Sequence, residues 1–110
     1  MKCKINVKPL SDNKLRLWRH QKTTEYRKYE KQILSLLPDE ELLPKPTRIF
    51  FTFWFSTKRC DATNPLKALC DILWKKYTEW DDRYIYETNI KKVIVPKWEE
   101  FIDIQTEYII

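Results

Sequence analysis

TRIFFTFWFS, residues 47–56, is the stretch on which the fold turns. Side chains alternate across an extended strand, so Ile49, Phe51, Phe53 and Phe55 share one face. Phe50, Thr52 and Trp54 take the other face. Apolar groups on both faces predict a central strand of a sheet, covered on both sides.

The neighbouring segments follow from this strand. Downstream, residues 64–77 read as a helix, with Asn64 as its cap and Pro65 at the first helical position. Leu66, Leu69, Cys70, Leu73 and Tyr77 mark its buried stripe. Asp81 and Asp82 precede a strand over about 83–94, Pro96 makes a turn, and a last strand covers about 100–108. Upstream, PDEELLPKP (38–46) is a stiff connector. Residues 23–37 form a helix capped by Thr23 or Thr24, with Tyr26, Tyr29, Ile33 and Leu36 or Leu37 at helical spacing. Residues 11–22 show no clean period and read as a basic loop, and 3–7 alternate as a half-buried strand. The order β-α-β-α-β-β predicts an α+β fold: a small mixed sheet with two helices packed on it, in a single domain over 1–110.

Composition narrows the chemistry. Glycine is wholly absent, which removes phosphate-binding glycine loops, dinucleotide fingerprints and nucleophile elbows. Cys3, Cys60 and Cys70 have no CxxC spacing, so neither a zinc site nor a disulfide framework is expected. Reduced thiols in a cytoplasmic protein are the simplest reading. No signal-peptide pattern is present, and the longest apolar run, Ile49 to Phe55, is far too short to span a bilayer.

The net charge of +5 is unevenly distributed. Residues 1–37 hold ten Lys/Arg against three Asp/Glu, whereas residues 61–110 hold seven against ten. A basic arm beside an acidic cluster suits a protein that attracts phosphates and holds a cation; an incidentally biased, solvated surface is the plainer reading. In the basic arm, Lys14, Arg16, Arg19 and Lys22 surround Trp18, which is expected in the core, and the cations are expected at phosphates. Lys58 and Arg59 add positive charge just past the central strand. The lone histidine, His20, reads as a loop residue.

The acidic cluster is DATNPLKALCDILWKKYTEWDD, residues 61–82. Asp61 follows the central strand, Asp71 lies on the next helix, and Asp81-Asp82 precede the following strand. Convergence of these carboxylates at one sheet edge would require a cation, and oxygen-only ligands suit Mg²⁺, with Mn²⁺ as the alternative. Lys67, four residues before Asp71, is placed to neutralise charge on a phosphodiester or to steady Asp71. Each group also has an ordinary structural role: a surface ion pair for Lys67 and Asp71, a turn for Asp81-Asp82, help with the helix cap for Asp61.

The run Asp61, Thr63, Asn64, Lys67, Asp71, Asp81-Asp82 resembles the RusA family of Holliday-junction resolvases, common in phages and prophages. The basic and Tyr-rich stretch Asn13 to Tyr29 is also similar, so the likeness spans nearly the whole chain. It implies a Mg²⁺-dependent endonuclease acting as a homodimer on four-way DNA junctions in recombination and repair. Carried over, Asp61 and Asp82 are catalytic metal ligands, Asp71 and Asp81 support them, and Lys67 is the catalytic lysine. Thr63 stands where the family pattern has a further aspartate, which removes one charge from the site. The alternative is a catalytically weakened relative that binds or regulates without cutting.

Overall fold

The computed structural model describes residues 1–10, 16–17, 21–39, 43–59, 61–78 and 80–109. In these residues the chain forms β1 (Lys2–Ile5), β2 (Arg16–Leu17), β3 (Gln21–Lys22), α1 (Thr24–Leu36), β4 (Thr47–Phe55), α2 (Leu66–Lys76), β5 (Ile85–Ile94) and β6 (Phe101–Tyr108). The main sheet is mixed, in the order β1-β6-β4-β5, and the two described helices pack on it in an α+β fold. The segment 11–22, expected to be a loop, contains the short antiparallel ladder of β2 and β3, with Arg16 opposite Lys22. Two residues per strand are too few to show as alternation in sequence.

β4 and β5 run parallel, from Thr47 opposite Ile85 to Phe55 opposite Ile94, with a one-residue register shift between Thr47 and Arg48. Parallel neighbours need a crossover, and α2 supplies it. β6 is antiparallel to both β4 and β1. The β5–β6 connection must therefore pass over the C-terminal end of β4. Val95 N–H donates to the Phe55 carbonyl at 2.8 Å, and the Ser56 N–H donates to Glu100 Oε2 at 3.1 Å, pinning the crossing in place.

The core lies between the helices and one sheet face. Ile49, Phe51, Phe53 and Phe55 of β4 are buried with Ile102 and Ile104 of β6 and Ile5 of β1. α1 contributes Tyr26, Tyr29 and Ile33; α2 contributes Ala68, Leu69, Ile72 and Leu73. The α2 stripe is thus turned from the expected one: Ala68 and Ile72 are inside, whereas Leu66 and Cys70 are only half-buried. Thr23 caps α1 as expected, its Oγ1 accepting from Tyr26 N–H at 3.0 Å. α1 and α2 are tied by the Glu30–Lys75 ion pair and by Lys76 Nζ, which donates to the Leu34 and Leu37 carbonyls at 2.8 and 3.1 Å.

The second sheet face corrects the sequence reading. Phe50, Thr52 and Trp54 are half-buried, not covered by a second layer of described residues. Their apolar character is met by neighbours in the sheet: Trp54 stacks on Phe101 with ring centroids 4.4 Å apart. Arg48 bridges Glu87 on β5 and Glu107 on β6 across this face. Its hydrogen bond to Glu87, then that to Glu107, holds the guanidinium pKa above its ordinary value, so Arg48 stays charged.

Candidate functional site

The segment that leads into α2 is a pair of tight turns. Asn64 N–H donates to the Asp61 carbonyl at 3.1 Å and Leu66 N–H to the Thr63 carbonyl at 3.0 Å. The helix starts at Leu66, with Pro65 in the capping position and no side chain capping it. Asn64 is therefore not the cap: Leu66 and Leu69 N–H donate to the backbone carbonyls of Thr63 and Pro65 instead. Asp61, Thr63, Lys67 and Asp71 are all exposed. Lys67 and Asp71, four residues apart, lie along the solvent flank of α2.

At the other end of α2 the two aspartates are held separately. Trp74 in the last turns donates its indole Nε1–H to Asp82 Oδ1 at 2.9 Å, leaving the second carboxylate oxygen for another partner. Asp81 accepts from Arg83 N–H at 3.1 Å and pairs with Arg83 Nε at 3.4 Å, capping the 3₁₀ turn Asp82–Tyr84. A shallow groove of about 260 Å³ runs along α2 from Leu66 to Asp82, lined by Phe51, Leu66, Cys70, Trp74, Asp82 and Thr88 among others.

Asp61, Asp71 and Asp81-Asp82 are spread along α2: one before it, one midway, and two after it. β4 and β5 are parallel, so the exit from β4 and the entry to β5 lie at opposite ends of the pair. Asp61 precedes α2 and Asp82 follows it, and an 11-residue helix is about 16 Å long. Among the described residues, no three His, Cys, Asp or Glu side chains gather closely enough to hold a metal ion. The donor chemistry itself, carboxylate oxygens only, fits a hard divalent cation.

The basic residues divide differently. Lys58 and Arg59 are exposed on the loop after β4, and the Lys58 carbonyl accepts from Lys92 Nζ at 2.9 Å, which ties that loop to β5. Arg16 and Lys22 are placed by their backbones on the β2–β3 ladder. Lys14 and Arg19 lie outside the described residues. Trp74 went unremarked in the sequence as a site residue: its bond to Asp82 crosses a helix end, and nothing in an eight-residue spacing announces it.

The described geometry thus presents a solvent-facing helix with a lysine and an aspartate on its flank, an anchored aspartate at its end, and a basic loop at the other. One comparison gives this arrangement its context: the family described as Endodeoxyribonuclease RusA matches residues 5–104. The chain belongs to the RusA family. The match runs from the last residue of β1 to the middle of β6, and encloses both ends of α2. It places the protein among endodeoxyribonucleases and accords with the likeness seen in residues 61–82. Among curated proteins, none matches the chain. Of the described residues, no helix is long and apolar enough to cross a membrane.

Proposed function

We propose that this RusA-family protein cuts four-way DNA junctions as a homodimer, using Mg²⁺ or Mn²⁺, in the cytoplasm of a bacterium or of a phage-infected cell. The observation that carries this is the family match enclosing Asp61, Lys67, Asp71, Asp81 and Asp82 on and around one solvent-facing helix. Asp61, Asp71, Asp81 and Asp82 are the metal ligands, with Asp61, Lys67 and Asp82 catalytic. A bound cation would polarise the phosphodiester and acidify the attacking water. Trp74 fixes the Asp82 carboxylate through Oδ1, so Oδ2 is presented in a defined direction. The Lys67 ammonium, exposed on α2, offsets negative charge growing on the phosphate oxygens. Lys14, Arg16, Arg19, Lys22, Lys58 and Arg59 hold the DNA backbone. A second copy, or the DNA itself, brings together the carboxylates that one chain leaves at the two ends of α2.

That dispersal of carboxylates, together with Thr63, also favours a second reading: a relative that binds branched DNA or regulates without cutting. Asp82→Asn separates the two. The amide keeps an oxygen to accept from Trp74, so folding is unaffected, but the charge is gone. Wild type with Mg²⁺ or Mn²⁺ should nick a synthetic four-way junction at two symmetric positions, and Asp82→Asn should cut at least 100-fold more slowly, on the order expected for loss of a charged catalytic group, while binding it equally well. Tight junction binding with no cutting by wild type under either metal establishes the second reading. Nicks that never come in symmetric pairs reject the homodimer.

A further inference from the structure

The β5–β6 crossing builds a cleft that plays no part in the site above. It has a volume of about 470 Å³ and sits at the C-terminal end of β4, between Lys4, Asn6, Trp54, Trp98, Glu100 and Phe101. Trp98 is carried on the 3₁₀ turn Lys97–Glu99 and is 84% exposed. An indole left so far in water buries no core area, so packing does not account for it. The Trp54–Phe101 stack also lines the cleft, with rings 20° from parallel and Lys4 Nζ lying 4.0 Å from the centroid of Phe101. Trp54 also keeps a buried indole N–H that has no acceptor among the described residues.

We propose that this cleft takes an unpaired nucleobase from a single-stranded or branch-point segment of DNA. This rests on the nuclease reading given above. The walls favour a base over a phosphate. Aromatic faces stack on any base. Glu99 and Glu100, which also line the cleft, would repel a phosphate but accept hydrogen bonds from the amino and imino groups of a base. Lys4, above Phe101, serves the sugar–phosphate backbone as the base enters. The cleft is also physically joined to the basic loop that follows β4: Glu100 accepts from Ser56 N–H, and Lys92 holds the Lys58 carbonyl. A strand lying along Lys58 and Arg59 therefore passes beside it.

The test compares a short labelled single strand with an abasic strand of the same length and phosphate count, by fluorescence anisotropy in EDTA. Wild type should bind the strand with bases about tenfold more tightly than the abasic one. Trp98→Ala should abolish that difference, and Trp98→Phe should restore most of it. Because Trp98 is solvated, neither change threatens the fold. Equal binding of the two strands by wild type, or an unchanged preference in Trp98→Ala, overturns the proposal. So does a shift of the free protein from dimer to monomer on Trp98→Ala, which would make the cleft a subunit contact. Junction cutting is measured on the same preparations. Cutting without a base preference removes the cleft and leaves the nuclease standing; a base preference without cutting does the reverse.

Discussion

Thr63 and Asp82 show how much of the site rests on single side chains. Thr63 is exposed, and only its backbone carbonyl takes part in the turn that starts α2. A carboxylate there costs the fold nothing that the turn depends on, and it adds a negative charge two residues from Asp61. Thr63→Asp should raise affinity for Mn²⁺ by roughly tenfold, because ligand charge governs how tightly an oxygen site holds a hard cation. Its stability should stay within about 0.5 kcal/mol of wild type. Titration calorimetry with Mn²⁺ reads the first quantity and urea unfolding the second. An unchanged Mn²⁺ affinity would mean that position 63 does not face the cation. Asp82 is the opposite kind of residue, its direction set by the Trp74 indole.

At the scale of the element, α2 is two surfaces on one rod. Ala68, Leu69, Ile72 and Leu73 are fully buried against the sheet, while Lys67 and Asp71 face water. Substitutions on the two faces should therefore part company. Ile72→Ala leaves a cavity and should cost about 2–5 kcal/mol in urea unfolding. Lys67→Ala should change stability by less than about 0.5 kcal/mol yet suppress junction cutting. If Lys67→Ala cuts normally, the lysine belongs to the surface alone. The rotation of the buried stripe toward Ala68 and Ile72 has a plain cause. The α2 stripe is set by where the Phe-rich face of β4 and the helix α1 meet it, and a small residue such as Ala68 carries little hydrophobic signal of its own.

Across the whole molecule, topology sets opposite charges side by side. Lys58 and Arg59 follow β4 and lead to Asp61, Lys92 closes that loop, Asp71 lies midway along α2, and Asp81 and Asp82 follow it. If these cations lie on the DNA backbone, binding releases counterions in proportion to the phosphates neutralised. The double variant Lys58→Ala with Arg59→Ala should therefore lower the slope of log K against log salt by about two for junction DNA. A slope equal to wild type would take both residues off the DNA. Among the described residues, the same topology gives one covered and one open sheet face, and the Arg48 bridge and the Trp54–Phe101 stack lie on the open one.

Periodicity in the chain determined the elements and their order. The alternation of 47–55, the Thr23 cap, the Tyr26–Tyr29–Ile33 stripe and the run of residues 61–82 are local patterns, written by neighbours a few positions apart. The family likeness was legible for the same reason, since its pattern lies within 22 consecutive residues. Tertiary structure alone decided what depends on distant partners. The parallel pairing of β4 with β5 makes α2 the crossover, with Asp61 before it and Asp82 after it, and among the described residues no three His, Cys, Asp or Glu side chains gather closely enough to hold a metal ion. The crossing of β5 into β6 brings Trp98 to one cleft with Trp54 and Phe101. Strand direction and sheet order arise from long-range pairing, and no spacing within a single segment records them.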